Sequence, residues 1–200
     1  MTSVEIAAIP DTAAARAAEL FVVEISTTAM VHHCRRSFQF GLALGQKLDL
    51  RPDVEVFYIG ALLHDLGLVP RYESEEGDFA AVSGREAEAF LLRGGHPEKL
   101  AIGVRTAIEL HGDSASAKDP RPEVALLHLG ATLDVIGQRL DDLPPALVAR
   151  ILAQEPRAGF AEAMISRLQR QIALKPRCKL ATLFAARDIP LLIRSAPFAG

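Results

Sequence analysis

The apolar residues of this chain mostly recur three and four positions apart, a spacing that gathers them on one face of an α-helix. Ala and Leu dominate and β-branched runs are scarce, so no convincing strand emerges and the expected fold is all-α. Within this pattern the stretch Tyr58 to Pro70, YIGALLHDLGLVP, sets His64 and Asp65 side by side among apolar helix formers. An ionised carboxylate in apolar surroundings is costly unless it is paired, neutralised or bound to a metal. Other segments must therefore bring partners to this pair.

The punctuation of the sequence divides it into helices. The first is expected over Thr12 to Glu24 with Asp11 as its N-cap, and the second over about Thr28 to Leu48. The third has Pro52 in its first turn and is stopped by Gly67 and Pro70, which leaves the His-Asp pair near its C-terminal end. VPRYESEEGDFAAVSG reads as a polar loop, REAEAFLLRGG as a short helix, HPEKLAIGVRTAIELHG as the next helix, and DSASAKDPRP as a second loop. A long apolar helix from Glu123 to Leu140 contains Asp134. Beyond Pro144 and Pro145, two amphipathic helices are expected, with a tail, RDIPLLIRSAPFAG, that packs back. The length fits a single domain over residues 1–200, with its core at about 25–140 and the segment 141–200 packed on it.

Charge and composition narrow the classes. Charged residues are 24% of the chain, interspersed in sign, with a net charge of −3, so no nucleic-acid surface is expected. The N-terminal sequence lacks a basic region followed by an apolar one, and no apolar run approaches the roughly 18 to 20 residues that span a bilayer. A cytoplasmic, soluble protein without a membrane partner is expected. Cys34 and Cys178 stand far apart in no paired spacing, as in a reducing compartment. Apolar faces in the C-terminal helices permit a homodimer.

Adjacent helix positions point about 100° apart, so His64 and Asp65 reach one ion only if it lies beside their helix. Further ligands are available in MVHHCRRSFQFG, which offers His32 and His33, and in VALLHLGATLDVIG, which offers Asp134. Gly130, Ala131, Gly137 and Gln138, three and four positions from Asp134, supply no positive charge to neutralise it. A metal held by His33, His64, Asp65 and Asp134 would satisfy all four groups, and two imidazoles with two carboxylates suit Zn, Fe, Mn or Co.

The order His, then His-Asp, then Asp on separate helices resembles the HD superfamily of metal-dependent hydrolases, in which those four residues bind the metal. The H-x-x-R form at His33 to Arg36, which selects His33 over His32, and LLHDLG at Leu62 to Gly67 resemble that family's motifs. More narrowly, HCRRSFQFG, ALLHDLG, AFLLRGG, AIELH and ALLHLGATLDVIGQRL, spread over about residues 30 to 140, resemble the cyanamide hydratase-like branch. That branch tends to carry Thr after the AI-x-LH histidine, where this chain has Gly112.

The resemblance implies one divalent transition metal and a small-molecule substrate, nitrile- or amide-like, attacked by water whose pKa the ion lowers toward ~7. Asp65 is expected to orient or deprotonate that water. His111, at a helix end whose dipole favours its protonated form, is the expected acid or hydrogen-bond donor. Arg36 is expected to contact substrate or to pair with a carboxylate behind the metal. The alternative is phosphomonoester or phosphodiester hydrolysis. A nucleotidase-type member would carry an acidic residue where this chain has Leu68, and a second metal would recruit His96 and His111. A third reading is an HD-fold sensor that binds partners without catalysis. His128 is expected as a hydrogen-bonded core histidine, and Glu73 as a loop carboxylate, either solvated or reaching the pocket.

Overall fold

Helix boundaries follow local hydrogen-bonding signals. A computed structural model describes residues 5–198; the first four and last two residues of the expected domain lie outside the described residues. The helices are α1 (Ala13–Ile25), α2 (Thr28–Leu48), α3 (Val54–Leu63), α4 (Phe79–Arg93), α5 (Glu98–Leu110), α6 (Pro122–Ile136), α7 (Pro145–Gln154), α8 (Phe160–Leu174), α9 (Lys179–Ala186) and α10 (Ile189–Arg194). No strand occurs among the described residues, in keeping with the all-α expectation.

Several boundaries differ from the expected ones for identifiable reasons. Thr12, not Asp11, caps α1: its Oγ1 accepts from the Ala15 N–H at 3.1 Å, while Asp11 pairs with Arg16. Asp53 caps α3 by accepting from the N–H groups of Glu55 and Val56, which leaves Pro52 just outside the helix. Helix α4 takes in the apolar end of the expected loop. Helix α6 stops at Ile136 because Gly137 adopts a left-handed conformation at φ 74°. In the C-terminal part, four helices form where two and a tail were expected.

The closest crossing is between α2 and α6. A Cβ on Gly130 would lie 2.1 Å from the Ser37 carbonyl oxygen, and one on Gly41 would lie 2.8 Å from that of Leu126. The two helices approach backbone to backbone only because those positions carry no side chain. His33 sits one turn before Ser37 and Asp134 one turn after Gly130, so this crossing brings them face to face.

Apolar side chains form two clusters. The larger includes Phe38, Phe40, Phe57, Ile59, Leu62, Ile108, Leu126 and Leu133, and it unites α1 to α7. The smaller joins Phe160, Met164, Ile165 and Leu168 of α8 and Ile189 and Ile193 of α10 to Met30 and Leu68. The tail does pack back, with Ile193 buried and Phe198 beneath the Arg157 guanidinium. No helix among the described residues is long and apolar enough to cross a membrane.

Candidate metal centre

Helix α3 delivers His64 as its C-cap, and the chain then turns through a short 3-10 segment, Leu66–Leu68. Gly67 makes that turn fit: a Cβ there would lie 2.3 Å from the Phe79 carbonyl oxygen, at the start of α4. Its N–H donates to Ser83 Oγ at 2.8 Å, which anchors the turn to α4. Asp65 is thereby held beside His64, with His33 reaching in from α2.

Three ligand atoms converge there. His33 Nε2 and His64 Nε2 are 3.2 Å apart, and Asp65 Oδ2 lies 3.5 Å from the first and 3.4 Å from the second. Atoms about 2.0–2.2 Å from a common metal ion, at tetrahedral or octahedral angles, stand roughly 3.0–3.5 Å from one another. The triangle therefore has the dimensions of a coordination face, and these three residues could hold a metal ion. Asp65 Oδ2 is fully buried and finds no hydrogen-bond partner among the described residues. A buried carboxylate oxygen facing two imidazole nitrogens needs a positive charge between them, a proton or a metal.

The tautomers support the same direction. His33 Nδ1 lies 2.6 Å from Asp134 Oδ2, His64 Nδ1 lies 2.8 Å from the Ala61 carbonyl, and His111 Nδ1 lies 2.6 Å from the Ile108 carbonyl. Each of those oxygens accepts the Nδ1 proton, which leaves each Nε2 with its lone pair in the neutral ring. The His64 and His111 rings meet edge to face with centroids 5.0 Å apart, so His111 joins the centre.

Asp134 is buried but stands outside the triangle, behind His33. Its Oδ1 accepts from Arg36 Nε at 2.7 Å and Arg157 Nη1 at 2.8 Å, and its Oδ2 accepts from Arg36 Nη2 at 2.9 Å and from His33. The positive charge absent from its own helix thus arrives from α2 and from the loop before α8. Of the four expected ligands, His33, His64 and Asp65 converge, and Asp134 is engaged on the far nitrogen of His33. Arg157 was missed because no periodicity or motif marks it. The lack of a cation near Asp134 in the sequence was the only sign that one must come from elsewhere.

Electrostatics separates the members. For Asp134, burial alone would raise the pKa, but the Arg36 guanidinium and His33 hold the carboxyl well below the usual range. Burial likewise opposes ionisation of Asp65, and His64 and His33 outweigh it. Burial would lower His33, but hydrogen bonding to Asp134 and the nearness of Asp65 raise it overall. For His64 burial wins and the pKa is lowered.

Several expectations need correction. Arg36 does not face substrate: it is fully buried, bidentate on Asp134, and its Nη1 donates to the carbonyls of Glu155 and Pro156. It positions Asp134, which was the other role foreseen for it. The His111 pKa is lowered to about 4, first by burial and then by His64, so burial overrides the helix dipole and the ring is neutral rather than an acid. His96 and His111 flank opposite ends of α5, roughly 20 Å apart along its axis, and cannot share a second metal. His32 pairs with Glu155, away from the triangle. Glu73 pairs with Arg170 of α8 instead of entering the centre. His128 donates through Nδ1 to the His111 carbonyl, a hydrogen-bonded role as expected.

No curated protein sequence gives a significant match to the chain. The HD domain, a fold typical of metal-dependent hydrolases, matches residues 30–156. That span carries α2 to α7 and every member of the triangle, and with more than half its length matched, the chain belongs to the HD domain family.

Proposed function

We propose that this protein is a metal-dependent hydrolase or hydratase that adds water to a small, uncharged substrate of nitrile or amide type. The observation that carries the reading is the convergence of His33 Nε2, His64 Nε2 and Asp65 Oδ2, with that oxygen buried and lacking a partner. When bound, a divalent transition metal would supply water of lowered pKa as the nucleophile.

The chain's own groups have distinct tasks. Asp134 keeps the Nδ1 proton of His33 and so aims its Nε2 lone pair at the centre, while Arg36 and Arg157 keep Asp134 ionised. Asp65 would hold a metal through Oδ2, which would leave its other oxygen to accept a hydrogen bond from water. His111, neutral and with its Nδ1 proton committed to Ile108, accepts a hydrogen bond through Nε2 from water or a substrate N–H. Phe79 packs edge-on against His111 and Phe160 stacks on His33, so the walls there are apolar.

The uncharged substrate is favoured because the cations behind the triangle are already committed. The Arg36 nitrogens are bound to Asp134 and two carbonyls, and Arg157 is bound to Asp134. A phosphate would have to displace a buried carboxylate to gain either guanidinium. The sequence likeness to the cyanamide hydratase-like branch points the same way.

The test is elemental analysis of the purified protein and of Asp65→Ala, followed by turnover of small nitriles and amides beside phosphomonoesters and phosphodiesters. We expect about one transition-metal ion per chain, lost in the variant, with hydration of the uncharged compounds. Turnover of phosphoesters alone would overturn the substrate class. Absence of metal even after supplementation would overturn catalysis in favour of an HD-fold sensor.

A further inference from the structure

Beyond residue 156, where the family match ends, the chain lies over the metal centre. Phe160, the first residue of α8, stacks on His33 with centroids 4.8 Å apart. From there α8 runs along the turn that follows Asp65, and one of its faces is a row of donors. Arg167 Nη1 donates to the Leu68 carbonyl at 2.7 Å, and Gln171 Nε2 donates to the Gly67 carbonyl at 3.1 Å. Arg170 Nε donates to both Glu73 carboxylate oxygens, and Lys175 Nζ donates to the Gly77 carbonyl at 3.0 Å. Positions 167, 170 and 171 recur at helical spacing and Lys175 follows directly after the helix, so one face of α8 and its C-terminal end are fastened to the segment 67–77.

The apolar side of α8 is built differently from the rest of the molecule. Phe160, Met164, Ile165 and Leu168 belong to the smaller cluster, not to the core that unites α1 to α7. Phe160 of that cluster lies on His33, and Phe79, packed against it, lies on His111. With α8 in place the centre is closed: His33 and His64 are at most 1% exposed and Asp65 is 8% exposed.

We propose that α8 is a latched cover, fastened by Arg167, Gln171, Arg170 and Lys175 to the segment 67–77, and that molecules reach the metal centre when this latch opens. The cover lifts where the apolar residues of α8 part from Met30 and Leu68, the two members of their cluster that belong to α2 and to the turn after Asp65. While closed it excludes bulk water, and it restricts the centre to small molecules. The consequence for substrates rests on the proposed hydrolase function, but the motion does not.

The experiment uses metal-free protein, so its failure is distinct from failure of the catalytic reading. Carbethoxylation of each histidine by diethyl pyrocarbonate is followed by peptide mass spectrometry, with His96, outside the centre, as the internal reference. We expect His64 and His111 to react far more slowly than His96 in the unaltered protein. Arg167→Ala and Lys175→Ala should each accelerate them roughly tenfold, the effect of one charge-assisted hydrogen bond on an opening equilibrium. Arg194→Ala, which cuts an α10 to α8 ion pair on the outer side, should leave those rates unchanged. No acceleration in the latch variants, or an equal one in Arg194→Ala, would overturn the proposal. Hydrogen exchange on the unaltered protein decides the matter if a variant fails to fold. Amides of α8 should then exchange as a block before those of α2 and α6, and exchange of all three together would equally overturn the cover.

Discussion

Asp65 and Asp134 are both buried carboxylates kept ionised against the cost of burial, yet their surroundings differ. Asp134 has donors on both oxygens, two guanidinium groups and an imidazole, so its charge is balanced within the protein. Asp65 faces two imidazole nitrogens and leaves Oδ2 without a donor. The first arrangement is an internal ion cluster that stabilises the α2–α6 crossing. The second could hold a metal ion. Residue type is the same and both are buried, and the neighbours separate the carboxylate whose charge is balanced within the protein from the one that could join a metal ion.

Four variants or conditions break or sharpen this contrast. Asp134→Ala leaves the buried Arg36 and the half-buried Arg157 without their anion, and should lower unfolding free energy by about 3–5 kcal/mol in urea titrations of metal-free protein. A loss below about 1 kcal/mol would show that the cluster does not stabilise the crossing. Metal should stabilise the wild type by about 2.7 kcal/mol when free metal is 100-fold above Kd, and Asp65→Ala should abolish that increment. Thermal melts with and without chelator provide the measurement, and an increment retained in the variant would remove Asp65 from the ligand set.

The third prediction concerns acid. The folded-state pKa of His111, about 4, lies below the ordinary 6.5, so the unfolded chain takes up a proton first as pH falls. Metal-free protein should lose stability as pH drops from about 6.5 to about 4, and His111→Gln should flatten that part of the profile. Unchanged slopes would mean that His111 is not buried neutral. The smallest effect is expected for Asp65→Asn in metal-free protein, about 1 kcal/mol, because Oδ2 has no hydrogen-bond donor to lose and only its attraction to His64 and His33 goes. A loss as large as that of Asp134→Ala would make the two carboxylates equivalent and defeat the comparison.

Much of the centre is legible in the chain itself. A His-Asp pair inside YIGALLHDLGLVP is costly enough to demand partners, and Asp134 in an almost uncharged helix makes the same demand. The resemblance of the stretch His33 to Arg36 to the family's H-x-x-R form selects His33 over His32. What each demand is met by was not legible. Asp134 reads as a ligand when only its own helix is considered, and as an anion paired to Arg36 and Arg157 once three segments meet. The helix-end position of His111 suggested a protonated ring, because a sequence shows the dipole but not the burial that overrides it. His96 looked available because sequence distance hides that α5 holds the two histidines apart.

The sequence by itself determined the helical class, the order of the helices as far as α6 and the side chains able to bind a metal, since periodicity and residue chemistry act over a few neighbouring positions. Only the tertiary structure decided which carboxylate joins the triangle, which way each imidazole points and what covers the centre. Those outcomes depend on where helices cross, as at Gly130 against Ser37, and on which distant donors arrive, as Arg157 does at Asp134. Such contacts join residues far apart along the chain, where local spacing carries no information.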